Sequence, residues 1–523
     1  MTIAAVVVAA CTGGAGDSRS GSTVATTIAD STTSSLDNTT TTTPADDLDH
    51  VVDLRPLSTS ADARIVDDLD REVLLRGANV NSLGEYWQGD PDHPPTIPVS
   101  DDDWDAMAAH GFSVVRLLIS WSRLEPERGL IDDGYLDEID RHVTAAAERG
   151  IYTVIDMHQD AFSATIFTDN PAECGPGTTP AKGWDGAPAW ATITDGLATC
   201  LPGDRNSSPA VLAAWNHFYD DTDGIRTEFA TAWGAVATRF AGRPEVAGYD
   251  LLNEPETSRP AEQLAPLYGA LIADTAAAIR AAEAAAPFEH LLIVEPAIPT
   301  GNPTFGIVVP DPTATGFDTR NVVAGPHNYA GSITEGDPVA MSDLFAGVAG
   351  GLGLPLWIGE YGYFGRDDGT ATWPRAFAAD QDRRAQGGAW WQWRQACGDP
   401  HSIGYDQPAS GEIVQLNPVS CPGDVALGPD DDFLRVVGRT FPRAAPGRIT
   451  DLVSDPDSGA FELQADAATA GTQLVVWAPT DATTHSVSTS GLRDVVEHTV
   501  PGGRIITAVV SADGAYSFVI TPV

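Results

Sequence analysis

From about residue 50 onward, short β-branched apolar runs alternate with longer Ala-rich stretches whose apolar positions recur every three or four residues. The short runs are VLLRGANV (73–80), VVRLLIS (114–120), YTVIDMH (152–158), VAGYDLLN (246–253), HLLIVEP (290–296), NVVAGPHNY (321–329), PLWIGEYG (355–362) and GAWWQW (388–393). Helical periodicity predicts helices over 101–110, 134–149, 225–241, 261–286, 338–350 and 372–386, with a last one near 431–440. Strands that are apolar on both faces and separated by helices imply an α/β fold with a covered parallel sheet. Eight of them point to a (β/α)8 TIM barrel over 50–440. An open doubly wound sheet is the alternative, and no Gly-rich phosphate loop follows any of the strands.

After about residue 445 the period changes from helical to twofold. GAFELQAD, TQLVVWAP, HSVSTS, GRIITAVV and AYSFVITP alternate apolar and polar positions between turn signals such as DPDSG and PGG. This predicts a small C-terminal antiparallel β-sandwich over 445–523. Its aromatics Phe461, Trp477, Tyr516 and Phe518 occupy alternating positions that suit a core, so its expected role is packing against the barrel. At the other end, residues 12–47 are mostly Ser, Thr, Gly and Asp and cannot bury enough apolar surface to offset their ordering entropy, which predicts a disordered linker. Residues 1–11, MTIAAVVVAAC, resemble a bacterial lipoprotein signal with Cys11 as the lipidated residue, although no Lys or Arg precedes the apolar run. The expectation is an exported, cell-surface monomer with membrane anchoring through Cys11.

Composition narrows the function classes. Hydrophobic residues at 42% and charged residues at 20% are those of an ordinary globular chain. A net charge of -44 repels phosphate backbones, so nucleic acid is not an expected partner. Besides Cys11 there are four cysteines, and an even count in an exported chain predicts two disulfides. Of the three connectivities the sequence-local one is preferred, Cys174 with Cys200 and Cys397 with Cys421; four free thiols are the alternative. Both pairs fall in long connections, 159–224 and 394–430, read as loops without regular structure that wall a substrate site.

The candidate chemistry lies at the strand ends. Arg116 lies in the second run, His158 ends the third, Asn253 and Glu254 the fourth, His327 and Tyr329 the sixth, Glu360 the seventh, and Trp391 sits in the eighth. Each has an ordinary structural explanation taken singly, but a barrel gathers these ends on one face. Glu254 and Glu360 supply the two carboxylates that glycoside hydrolysis needs, and Arg, Asn, Tyr and Trp are suitable types to hold a nucleophile and a sugar ring. Two His and several Glu would also suit a metal, but no H-E-x-x-H or paired-His spacing is present, so no metal and no cofactor are expected. Glu256, beyond Pro255, reads as a solvated loop carboxylate.

LLNEPE, GPHNY, IGEYG, VVRLLISW and the tryptophan of the eighth run together resemble the retaining glycoside hydrolases of family five, over roughly 70–440. DMHQDAFS (156–163), LLRGANVNS and the appended sandwich are similar to the endoglycoceramidases of that family. The resemblance implies release of an intact oligosaccharide from ceramide by double displacement, with Glu254 as acid/base and Glu360 as nucleophile. It also implies that Asn253 holds the 2-hydroxyl, Arg116 and Tyr329 support Glu360, Trp391 floors the sugar, and His158, His327 and Asp160 complete the pocket. An ionised Glu360 nearby is expected to raise the pKa of Glu254. The lysine expected near the first strand is missing, with Glu85, Tyr86 and Trp87 in its neighbourhood, so a galactosyl link fits as well as a glucosyl one. A family-five enzyme acting on another lipid glycoside or on a β-1,4-glucan or mannan is the enzymatic alternative, and a cell-surface carbohydrate-binding protein the non-enzymatic one.

Overall fold

A computed structural model describes residues 52–89, 91–203, 205–257, 259–299, 317, 319–363, 372–401, 414–479 and 485–523. The signal, Cys11 and the Ser/Thr-rich linker lie outside these residues. Eight parallel strands form the barrel: β1 (Arg76–Leu83), β2 (Val114–Ser120), β3 (Tyr152–His158), β4 (Val246–Asp250), β5 (Leu291–Val294), β6 (Val322–Ala324), β7 (Trp357–Tyr361) and β8 (Gly387–Trp390). They are paired in the order β6-β5-β4-β3-β2-β1-β8-β7. Single parallel bridges from Ala324 to Leu356 and from Asn328 to Tyr361 join the two ends, which closes the ring.

Every residue of β2, β3, β4 and β7 is buried, as expected of strands covered on the outside by helices and packed on the inside. The helices stand close to their predicted positions, Asp101–Ala109 and Asp133–Ala147 among them. The first starts at a capping box, in which Ser100 Oγ accepts from the Asp103 N–H and Asp103 returns a bond to the Ser100 N–H. The connection over 159–224 departs from its expectation. It carries a buried helix, Pro209–Tyr219, whose apolar residues Val211, Trp215 and Phe218 pack into the core, so it is a folded insertion.

Two antiparallel sheets follow the barrel. One contains Arg448–Ser454, Phe461–Ala468, Gly514–Pro522 and His485–Ser490. The other contains Phe441–Pro446, Gln473–Pro479, Gly503–Val510 and Leu492–Val500, and three strands from the start of the described chain, Leu57–Thr59, Ile65–Asp67 and Arg71–Val73, complete it. Ala444 pairs with Val73 and Pro446 with Arg71, so residues read as the start of the barrel are edge strands of the C-terminal sheet. Trp477, fully buried, anchors this unit to the barrel: its indole N–H donates to the Gly438 carbonyl at 2.9 Å. Gly111 makes room for the ring, since a Cβ there would stand 2.1 Å from the indole, and its φ of +78° also favours glycine.

Candidate active site

Arg116 projects from β2 into the barrel and is fully buried. Its guanidinium meets four carboxylates: Asp250 at 2.8 Å, Asp156 at 2.9 Å, Glu295 at 3.1 Å and Glu360 Oε1 at 2.8 Å. It also donates to the side-chain oxygens of Asn79 and Asn253. Burying one cation among so many anions is tolerable only where protons compensate the surplus charge. Burial, with Glu295 and Asp156 adding to it, pushes the Asp250 carboxyl well above its ordinary value against the pull of Arg116.

The two predicted catalytic glutamates come together. An oxygen of Glu254, an oxygen of Glu360 and a ring nitrogen of His327 all lie within 4.8 Å of one another. Tyr329 donates its hydroxyl to Glu360 Oε2 at 2.8 Å, and Arg116 holds Oε1, so both oxygens have donors. His327 Nδ1 lies 2.9 Å from Glu254 Oε1 and 3.4 Å from Glu360 Oε2. Gly359, just before the nucleophile candidate, makes room for this imidazole, since a Cβ would stand 3.0 Å from Nε2.

Glu254 sits in a turn with φ +38°, sparsely populated backbone for a residue with a side chain. Two groups hold that turn. Glu295 accepts the Glu254 N–H at 2.8 Å, and Gln159 donates its amide to the carbonyls of Asn253 and Glu254 at 2.9 and 3.0 Å. The expected upward shift of the Glu254 pKa is not found. Burial does raise it, but hydrogen bonding to a charged His327 and the positive Arg205, 3.3 Å away, outweigh burial and leave it below its ordinary value. The physical cause is that two cations, His327 and Arg205, stand at Glu254 and outweigh the neighbouring carboxylate.

The rest of the predicted set gathers around His158. His158 is held by Asp156 at 2.8 Å and stacks on Trp391 with centroids 5.4 Å apart and planes 15° from parallel. Trp391 stands immediately past β8. Asn253 donates to the Gln159 carbonyl at 3.0 Å and lies 3.5 Å from His158 Nε2. Asp160 is buried and bound by Arg205 and, at 2.6 Å, by His401, so its carboxyl stays ionised well below the usual range despite burial. Glu256, read as a solvated loop carboxylate, is instead buried; the Asn206 side chain donates to it and its strand Glu256–Thr257 pairs with Ile298–Pro299.

Several residues of the site were not anticipated. Glu295, immediately past β5, closes the polar ring around Arg116, and its position just beyond an apolar run is a readable signal. Arg205, Asp185, Asp399 and His401 come from the two long connections, where spacing carries no face information. His401 takes Asp399 at 2.7 Å on one nitrogen and Asp160 on the other, which raises its pKa to about 9 against the opposing effect of burial. Asp185 is buried beside Asp160, and burial pushes its carboxyl up to about 7. Both expected disulfides are present in the preferred pairing, Cys174–Cys200 and Cys397–Cys421, and the second lies four residues before His401. Among the described residues, three carboxylate or carboxylate–histidine groups converge tightly enough for a cation, but each already contains or contacts Arg116, His327, Arg205 or His401.

The arrangement can carry out acid-assisted substitution at an acetal carbon, with a fixed carboxylate on one side and a carboxyl on a histidine tether on the other. Comparison with known proteins agrees. Residues 73–396 match the family model described as Cellulase (glycosyl hydrolase family 5). Endoglycoceramidase I of Rhodococcus hoagii (strain 103S) is 27% identical over 485 residues, covering 86% of this chain and 85% of the relative. The crystal structure of an endogalactoceramidase superposes with a TM-score of 0.80 at 36% identity, covering 90% of this chain and 100% of that one. Endo-glycoceramidase II from Rhodococcus sp., in a five-membered iminocyclitol complex, gives a TM-score of 0.66 at 25% identity, covering 88% and 100%.

Proposed function

The chain belongs to the cellulase family, glycosyl hydrolase family 5, and from that premise we propose that it is a retaining endo-β-glycosidase that cleaves the bond between a glycan and ceramide. The observation that carries the stereochemistry is the approach of Glu254 and Glu360 oxygens to within 4.8 Å. Such an approach fits a retaining pair, whose carboxyls stand about 5–5.5 Å apart, better than an inverting pair at about 6.5–9.5 Å, which must admit a water.

In this reading Glu360 attacks the anomeric carbon, the C1–O bond breaks, and Glu254 gives its proton to the departing ceramide oxygen. Water activated by the resulting Glu254 carboxylate then releases the sugar from Glu360. Arg116 and Tyr329 hold the nucleophile, Asn253 faces the 2-hydroxyl, Trp391 forms the floor, and His158 with Asp160 takes the hydroxyls further round the ring. The greater similarity to an endogalactoceramidase supports a galactosyl rather than a glucosyl link.

Incubation with defined galactosyl- and glucosyl-linked glycosphingolipids in detergent, with soluble β-glucan and mannan as controls, tests the substrate class by the mass of the released sugar. Release of an intact glycan from a lipid is expected; cleavage of the polysaccharides alone sinks the reading. Glu360→Gln is expected to abolish turnover with the fold retained. The apolar start of the chain supports export and anchoring through Cys11, and metabolic labelling with a fatty acid, lost in Cys11→Ser, tests that part. A monomer is expected in gel filtration.

A further inference from the structure

Glu295 stands immediately past β5 and is only 2% exposed, and two donors and an imidazole nitrogen converge on it. Arg116 Nη2 and His327 Nε2 both lie 3.1 Å from Oε1, and the Glu254 N–H reaches Oε2 at 2.8 Å. An arginine and a backbone amide can only donate, so Glu295 is engaged as an acceptor. Nε2 faces this carboxylate at ion-pair distance, without the alignment of a hydrogen bond, and the negative charge beside it favours a proton on that nitrogen of a neutral imidazole. The hydrogen free to move is then the one on Nδ1, whose nearest partner is Glu254 Oε1 at 2.9 Å.

We propose that Glu295 is a positioning residue for the acid/base: through His327 it directs a reversible proton transfer from Nδ1 to Glu254, and through the Glu254 N–H it fixes that carboxyl over the scissile oxygen. The proposal rests on the assignment of Glu254 made above. Before attack the N–H bond at Nδ1 breaks and an O–H bond forms at Oε1, leaving His327 neutral. As Glu360 bonds to C1, the leaving oxygen keeps the C1–O electron pair and takes the proton from Glu254. In the second step water bonds to C1 and loses a proton to Glu254, while the Glu360 oxygen departs with its bonding pair. The proton returns to Nδ1 when the product leaves, so proton and charge balance over the cycle.

The charged and titratable groups facing this pair are Arg116 from β2, Asp156 from β3, Asp250 and Glu254 from β4 and its turn, Tyr329 beyond β6 and Glu360 from β7. Arg205 reaches Glu254 from the connection after β3, and Tyr268 donates to the Glu295 carbonyl from the helix Ala261–Glu283. Among them Glu295 alone touches Arg116, His327 and the backbone of Glu254 together.

The test compares wild type, Glu295→Gln and Glu295→Asp on two β-glycosides of one sugar, an alkyl glycoside and a 2,4-dinitrophenyl glycoside whose phenolate leaves without a proton. For Glu295→Gln, kcat/KM on the alkyl glycoside is expected to fall about 100-fold or more and to stay within about fivefold on the dinitrophenyl glycoside. The alkaline limb of the alkyl profile is expected to move to lower pH, because the pair loses a negative neighbour that holds its proton, and Glu295→Asp is expected to restore part of both. Equal losses on the two glycosides with an unmoved limb would overturn the proposal. If Glu295→Gln does not fold, an unmoved limb in Glu295→Asp overturns it. A wild type that cleaves neither glycoside defeats the glycosidase reading itself, whereas a cleaving wild type with an indifferent Glu295 defeats this proposal alone.

Discussion

Replacing Gln159 with leucine removes polar atoms at nearly constant volume and tests whether the turn carrying Glu254 is held from outside. The Gln159 side chain is buried and makes three bonds: its amide donates to the carbonyls of Asn253 and Glu254, and its oxygen accepts from the Phe162 N–H at 2.8 Å. Leucine leaves all three backbone groups without their partner, and each unsatisfied buried group costs about 1–3 kcal/mol. Relaxation and water entry recover part of this, so we expect a loss of about 3–5 kcal/mol from a total stability on the order of 5–15 kcal/mol. The protein should therefore fold and be measurable by guanidinium denaturation. Activity should suffer more than stability, because the released peptide sits at a positive φ and a displacement near 1 Å costs about 100-fold in rate. The reasoning is refuted by a variant that loses under about 1 kcal/mol and keeps kcat/KM within about threefold of wild type.

Arg205→Gln withdraws a cation that lowers the Glu254 pKa, so that pKa rises; because the first step needs Glu254 protonated, the alkaline limb of kcat/KM should move to higher pH, and a pH–rate profile checks it. His401, raised to about 9 in the folded state from about 6.5 unfolded, contributes stability that is complete below pH ~6.5 and lost as pH climbs through ~9; urea midpoints across that window should fall in wild type and flatten in His401→Asn. Opening Cys397–Cys421 by a double serine substitution frees a loop spanning 24 residues, which should cost about 3 kcal/mol in calorimetry and lower affinity for the sugar by loosening His401.

Much of this architecture was legible because the same few forces act locally and globally. VVRLLIS and YTVIDMH are strands to the residue, since runs apolar on both faces have one comfortable place in a barrel. Glu254 and Glu360 were visible as carboxylates where an apolar strand stops. What stayed hidden depended on partners from elsewhere in the chain. Glu256 looks solvated beside Pro255, and only the insertion over 159–224 brings Asn206 and Tyr219 to cover it. Arg205 and His401 sit in stretches without periodicity, so nothing local tells which way they face, and it is Arg205, together with the charge on His327, that reverses the sign of the Glu254 shift. The short strands over 57–73 carried too few alternations to reveal that their partners lie at the other end of the chain.

That distant pairing bears on how the protein is made. In the register Ala444 opposite Val73, the two residues are 371 positions apart, so the strands over 57–73 leave the ribosome long before the sheet they complete. At roughly 5–20 residues per second the delay is about 20–75 s, during which an open strand edge stands beside a barrel still being assembled. A catalytic fragment cut at residue 440 would keep that edge unpaired for good. The strands over 57–73 therefore belong, for expression and for engineering, with the C-terminal unit, and a recombinant form should carry the two together.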